Sequence, residues 1–382
     1  MITRKAPGRQ PDSTWRTGLL AGVLALVLAA CGSSPVEVGA AGGMLVGADV
    51  SALERIEQAG GVFKDGGTAG DAIAILHAHG ANIFRLRLFV NPNDSDVQVN
   101  DLAYTIRMGK RVKAAGARLL LDIHYSDTWA DPGHQATPAA WTGLPPDSLE
   151  ERVETYTSGA VGAMKAAGAL PDMVQVGNEV DAGMLWPVGQ LTGTGDTTAQ
   201  WDRFTRLLKA GIRGVHDALA PGDSVRTLIH YSLGDNLGGT QWFFDHITAA
   251  GVPFDLIGLS YYPWWHGTLD ALRTNMDAAA ERYGKPILVV ETEYPWRAGG
   301  WESMVSNRAL MAWPATPGGQ RQFLADLLGA VAAVPDSRGA GVIWWYPESI
   351  QVSGLFAWAG GSLALFDAGG NVLPAASVFG AP

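Results

Sequence analysis

Cysteine is nearly absent from these 382 residues: Cys31 is the only one. The chain can therefore form no internal disulfide. Charge is also sparse, at 17% of residues, and what there is leans acidic, with 27 Lys and Arg against 37 Asp and Glu and a net charge of -10. A basic footprint for nucleic acid is missing, so no nucleic-acid partner is expected. The acidity favours solubility and disfavours polyanionic ligands, but says little about a neutral polymer. Two motifs are missing as well. No glycine-rich phosphate loop follows an early strand, and no Asp-x-Asp-x-Asn-Gly run is present to build a calcium loop. No cofactor and no required metal are expected.

What is present is a chain that is 47% hydrophobic, ample for a buried core. Its N-terminus is specialised. Arg4, Lys5, Arg9 and Arg16 precede an apolar run over 19–30 that is too short to span a bilayer as a mature helix. This pattern predicts an export signal over 1–30. The run ends in Leu28-Ala29-Ala30-Cys31, which resembles the lipobox of bacterial lipoproteins. Cys31 would then carry the lipid and begin a flexible tether over 31–43, with Gly32, Ser33 and Ser34 at its start. An ordinary signal peptide beside a chance cysteine is the alternative. The lipobox reading implies an exported protein, anchored through its lipid in the cell envelope or secreted.

Beyond the tether, short apolar runs alternate with longer helical patterns, as in repeated βα units around a parallel sheet. Eight strands are predicted, at 44–49, 83–90, 118–124, 173–178, 226–230, 256–261, 287–291 and 341–345. Helical patterns lie between them at 70–79, 102–115, 149–167, 199–219, 242–250, 269–283 and 320–334. Gly80, Gly116, Gly251 and Gly284 each sit where a helix returns to a strand. A doubly wound open sheet would also alternate in this way, but its nucleotide-binding loop is missing. A single (β/α)8 barrel over 44–382, α/β in class, fits better. Such a barrel typically needs about 250 residues and accepts insertions.

Polar and aromatic residues gather where these strands end: Asp49, Arg87, His124, Asn178, Glu179, His230, Tyr261, Tyr262, Glu291, Trp344 and Trp345. In a (β/α)8 barrel those ends open onto one face, which carries the active site. Each residue alone has a bland reading as a core ion pair, a satisfied histidine or packing. Their recurrence at one end does not, because charge is costly to bury unless paired or functional. Glu179 and Glu291 follow strands four and seven. Glycosidic cleavage needs two carboxyl groups, one to protonate the leaving oxygen and one to attack or to activate water. The acid must be held protonated by burial and by the other carboxylate. Arg87 and a tyrosine of strand six are the candidates for keeping Glu291 ionised.

Several stretches narrow the reading. Gly47-Ala-Asp-Val50, Phe84-Arg-Leu-Arg-Leu-Phe-Val-Asn-Pro92, Leu120-Leu-Asp-Ile-His-Tyr-Ser-Asp-Thr-Trp-Ala-Asp-Pro132, Val174-Gln-Val-Gly-Asn-Glu179, Gly183-Met-Leu-Trp186, Ile257-Gly-Leu-Ser-Tyr-Tyr-Pro-Trp-Trp-His-Gly267 and Glu291-Thr-Glu-Tyr-Pro-Trp296 are similar to those of arabinogalactan endo-β-1,4-galactanases, glycoside hydrolase family 53 of clan A. Asn371-Val-Leu-Pro-Ala-Ala-Ser-Val-Phe379 resembles the family's closing segment.

The resemblance implies a retaining, endo-acting hydrolase of galactan or type I arabinogalactan, with Glu179 as acid/base and Glu291 as nucleophile. It implies that Asn178 contacts the sugar 2-hydroxyl. Arg87, His124, His230, Tyr261 and Tyr262 would build the central subsite, with Trp345 as its floor and Asp49 and Trp296 nearby. Trp129, Trp186, Trp264 and Trp265 are spread along the loops as a polymer groove would require, although part of the 14 tryptophans must be core. A monomer is expected. The same chemistry on mannan or glucan is a neighbouring reading, and a non-catalytic glycan-binding lipoprotein is a reading of another class. Two departures from the family pattern stand out. Glu293 replaces a usual small residue two positions after Glu291, and strand eight runs on as Trp345-Tyr346-Pro347-Glu348, where many relatives place the glutamate directly after the tryptophan.

Overall fold

The computed structural model describes residues 43–191 and 197–381. The expected signal over 1–30, Cys31 and all but the last residue of the tether lie outside the described residues. Eight parallel strands form a closed barrel: β1 (Leu45–Asp49), β2 (Ile83–Leu88), β3 (Arg118–Ile123), β4 (Met173–Val176), β5 (Arg226–Tyr231), β6 (Leu256–Tyr261), β7 (Ile287–Thr292) and β8 (Gly339–Trp344). Each pairs with its neighbours in sequence, and β8 returns to pair with β1. The chain is the (β/α)8 barrel its alternation predicts.

Among the described residues, seven longer helices connect these strands, Ala72–Ala78, Leu102–Ala114, Pro146–Ala166, Thr198–Asp217, Leu237–Ala249, Leu269–Tyr283 and Pro317–Ala332, with two short ones, Leu53–Gln58 and Pro263–His266. Of the longer helices, all but Pro146–Ala166 start with a side-chain cap that satisfies a first-turn N–H group. The Asp101 carboxylate accepts from Tyr104 N at 2.7 Å, and Thr197 with Gln200 forms a reciprocal capping box. Three helices begin earlier than their apolar periodicity predicts. Pro146 and Pro317 occupy first-turn positions where no N–H is needed, and Gly238-Gly239 masks the start at Leu237 behind its Asn236 cap. After β8 no α-helix forms among the described residues. The 3-10 segment Pro374–Gly380 packs against Pro317–Ala332 in its place. Among the described residues, no helix is long and apolar enough to cross a membrane.

The strands alternate inward and outward with period two. Outward residues such as Phe84, Leu86, Leu119, Leu121, Val174 and Ile229 join the large core beneath the helices. Inward residues form a separate apolar plug of Leu45, Ile83, Leu120, Met173, Leu228, Leu256, Leu288 and Val290. Two and four residues further along the same inward faces the side chains turn polar: Asp49, Arg85, Arg87, Asp122, His124, Gln175, His230 and Ser260, all buried. A dry plug thus closes one end and a charged layer faces the other. Gly47 lies between them, and its hydrogen faces the Ile83 carbonyl; a Cβ there would fall 1.7 Å from that oxygen.

Strand β7 breaks the alternation. Its pairing with β6 slips between Leu259 and Ser260, so that Leu259 faces Val289 while Ser260 faces Glu291. The bulge lets Val290 stay in the plug while the next residue, Glu291, also reaches the central opening. Leu228→Ala removes a buried side chain from the plug and is expected to cost about 2–5 kcal/mol of stability. Urea unfolding followed by circular dichroism measures this, and a loss below 1 kcal/mol would mean the plug relaxes around the cavity.

Candidate active site

Arg85 stands at the centre of the polar layer, fully buried. Its guanidinium reaches Asp49 at 3.1 Å, Asp122 at 2.8 Å, Glu291 at 2.9 Å and the Asn178 side-chain oxygen at 2.8 Å. Burial opposes its charge, but Asp122, Glu291 and Asp49 outweigh that, and the group stays cationic. Glu291 also accepts a 3.0 Å hydrogen bond from the Tyr262 hydroxyl. Burial pushes the Glu291 carboxyl upward, while Arg85 and Tyr262 pull it back toward ionisation.

Glu179 lies across the opening in a left-handed conformation, φ 45°, at the turn that ends β4. Its only hydrogen-bond partner to the carboxylate among the described residues is Ser260, whose hydroxyl donates at 2.7 Å. Burial and the charge of Glu291 hold its carboxyl well above the usual range, with Ser260 opposing. One carboxyl therefore has a cation and the other has none. The proton of the pair belongs on Glu179.

His230 supports this arrangement from below. One ring nitrogen lies 2.8 Å from Ser260 Oγ, and the other lies 3.0 Å from Asn178 Oδ1 and 3.2 Å from Gln175 Nε2. Burial and Arg85 depress its pKa well below that of free histidine, so the ring is neutral. Donor atoms of Glu179, His230 and Glu291 lie within 4.8 Å of one another. They do not make a convincing metal cradle, because both His230 nitrogens already face protein partners and Glu291 faces Arg85.

The opening is a cavity of about 580 Å³. Among the sequence-predicted residues, Asn178, Glu179, Tyr262, Glu291, Trp345 and the loop tryptophans Trp129 and Trp265 line it, while Trp186 and Trp264 do not. Asp49, His124 and His230 lie in the buried layer beneath, His124 with its ring 2.9 Å from the Asp122 carboxylate and accepting from Ala130 N at 3.0 Å. Arg87 takes a different place from the one its sequence position suggests. Its guanidinium lies 4.3 Å from the ring of Trp129 and 4.9 Å from that of Trp345, and the contact to Glu291 is made by Arg85. Arg87 thus braces the aromatic floor from behind. Tyr261 stacks on Phe323 and donates to the Gly267 carbonyl, and Trp296 donates to the Gly361 carbonyl; neither lines the cavity.

A family model described as glycosyl hydrolase family 53 matches residues 45–379. The chain belongs to glycosyl hydrolase family 53. A protein described as uncharacterised, from the bgaB 5′ region of Niallia circulans, is 43% identical over 86% of this chain and 91% of its own. A probable arabinogalactan endo-β-1,4-galactanase A of Aspergillus terreus is 39% identical over 81% of this chain and 87% of its own. The solved family 53 catalytic domain of Ignisphaera aggregans is 34% identical and superposes with a TM-score of 0.81, over 88% of this chain and 95% of that one. This family 53 protein is a glycosidase.

Several site residues are not apparent from sequence. Arg85 shares a strand face with Arg87, so period two alone would have nominated both; nothing local says which one meets Glu291. Ser260 and Asp122 lie two residues before the recognised positions Tyr262 and His124, and the same alternation points at them; Gln175, three residues before Asn178, carries no such signal. Ser232, Leu233, His266, Tyr346, Phe356 and Trp358 line the cavity from loops, where no periodicity marks them. Glu348 turns away from the cavity: it is buried and accepts from Ala52 N at 2.9 Å, its pKa pushed up to about 8 by burial and Asp49.

The two carboxyls are expected to answer separately to mutation. Ser260→Ala removes the donor that lowers the Glu179 pKa, so the alkaline limb of the kcat/KM profile moves to higher pH. Arg85→Met removes the cation that lowers the Glu291 pKa, so the acid limb moves to higher pH, with a fall in rate of at least about 100-fold. A profile in which Ser260→Ala shifts only the acid limb would reverse the assignment of the two roles.

Proposed function

We propose that this protein is an endo-acting, retaining β-1,4-galactanase held at the cell envelope by a lipid on Cys31. The observation that carries the mechanism is the pairing of Glu179 with Glu291, oxygen atoms within 4.8 Å, with Arg85 on one of them only. Inverting enzymes keep their carboxyls about 6.5–9.5 Å apart to admit a water, whereas retaining ones use about 5–5.5 Å. The short spacing supports direct attack. Glu179 gives its proton to the glycosidic oxygen while ionised Glu291 forms a bond to the anomeric carbon, releasing one part of the chain. Glu179, now a carboxylate, takes a proton from water, whose oxygen displaces Glu291 and restores the starting anomer.

The cavity suits a neutral polymer. Trp345 and Trp129 form an aromatic floor and side beside the carboxyls, and planar rings cover the apolar faces of a pyranose. Trp265 and Phe356, 43% and 58% exposed, continue apolar surface to the rim, where further sugar units would rest. The name of the Aspergillus relative supports galactan over other β-linked glycans.

Digestion of linear β-1,4-galactan, followed by mass spectrometry, is expected to give short galacto-oligosaccharides from early times. Hydrolysis of mannan or glucan without hydrolysis of galactan overturns the substrate. Glu291→Ala is expected to abolish turnover and, with azide and an aryl β-1,4-galactobioside, to form the α-glycosyl azide; Glu179→Ala is expected to keep activity on such good leaving groups. A β-azide from Glu291→Ala would contradict retention through that residue.

The anchor rests on the basic stretch, the apolar run and Leu28-Ala29-Ala30-Cys31. In a bacterial host, metabolic labelling with an alkynyl fatty acid is expected to mark the wild-type protein in the membrane fraction. Cys31→Ala is expected to lose the label, and equal labelling of both would remove the anchor from the proposal.

A further inference from the structure

Glu293 follows the nucleophile by two residues but does not share its face. The slip in β7 has ended the regular alternation, and Glu293 is fully buried outside the cavity wall. Both of its carboxylate oxygens face the indole nitrogen of Trp358, at 2.9 and 3.1 Å. Among the described residues it has no other hydrogen bond and no cation within ion-pair distance. A carboxyl buried this way is costly, and stays neutral or is kept for a specific contact. Burial, with the nearby charge of Glu291, does push it well above the usual carboxylate range.

The contact it makes reaches the cavity. Trp358 is half-buried and forms part of the cavity wall. Its neighbours Ala359, Gly360 and Gly361 all have left-handed backbones, φ 47°, 60° and 77°, so no strand or regular helix ladder orients this segment. The loop after β7 holds that backbone instead. Trp296 Nε1 donates to the Gly361 carbonyl at 2.9 Å, Trp296 N to the Ser362 carbonyl at 2.9 Å, and Arg297 to the Gly360 carbonyl at 2.7 Å. These bonds fix the main chain, and the indole packs against the buried core. Within that packing its only side-chain hydrogen bond among the described residues goes to Glu293, and this bond orients the ring.

We propose that Glu293 is a positioning residue that locks the Trp358 indole in the cavity wall, where its face supports a sugar unit away from the scissile bond. Glu293 acts on the glycan through Trp358 alone and takes no part in proton transfer. Its effect therefore falls on the binding of longer chains. The proposal rests on the reading of the protein as a glycan hydrolase.

The test compares kcat and KM on linear β-1,4-galactan for the full-length protein and four variants. Glu293→Ala is expected to raise KM by about fivefold to twentyfold, the range for losing one buried hydrogen bond, with kcat within about twofold. Trp358→Phe keeps a ring but removes the donor, and is expected to match it. The double variant is expected to be no worse than either single one. Glu293→Gln keeps an accepting oxygen and is expected to restore the wild-type KM and leave both limbs of the pH profile in place. The proposal is overturned if Glu293→Gln behaves like Glu293→Ala, if the single effects add, or if the loss falls on kcat with a moved acid limb. Melting temperatures accompany each variant; if Glu293→Ala does not fold, Trp358→Phe and Glu293→Gln decide the matter. Wild-type galactan hydrolysis separates the two readings. Its absence sinks the substrate, and the variants are then compared on the β-glycan that the wild type does cleave.

Discussion

Arg85 carries one positive charge into the barrel and meets Asp49, Asp122 and Glu291 there, with no solvent to dilute the interaction. Removing any one partner would leave unpaired charge in a low-dielectric interior, which is why these residues hold one another in place. The arrangement also divides the two facing carboxyls of the cavity. Glu291 is tied to the cation and Glu179 is not, so a single guanidinium decides which carboxyl keeps the proton. The Ser260 hydroxyl and neutral His230 moderate that decision without supplying a second charge.

The aromatic residues depend on the same layer. Arg87 shares its strand face with Arg85 but among the described residues pairs with a carboxylate only at 3.9 Å, that of Asp49; its guanidinium lies against the rings of Trp129 and Trp345. The floor of the cavity is thus stacked on a cation, and its rings stand at a fixed angle to the carboxyls. Beyond the floor, Trp265 comes from the short helix Pro263–His266 after β6, and Phe356 and Trp358 from the segment after β8. Their positions are set by bonds between connecting segments and not by the barrel, which separates the rim of the cavity from the carboxyl layer at its base.

The barrel itself was legible from the sequence because its information is local. Apolar runs of period two, glycines at helix ends such as Gly116 and Gly284, and a helix between each pair of strands are each read within a short window. Helix starts were read late where Pro146, Pro317 or Gly238 interrupted periodicity. The short helices Leu53–Gln58 and Pro263–His266 and the segment Pro374–Gly380 are not legible, since none is long enough to show a period.

For the site, sequence alone determined which strand ends carry polar groups and that Glu179 and Glu291 follow strands four and seven. It did so because covalent order and the period of a strand decide position along a barrel. Only the tertiary structure decided that Arg85, and not Arg87, meets Glu291, since both arginines occupy equivalent faces and the choice rests on depth in the barrel. It also decided where Glu293 points. The bulge that turns Glu291 inward is a property of two paired strands, and no window of one chain segment contains it.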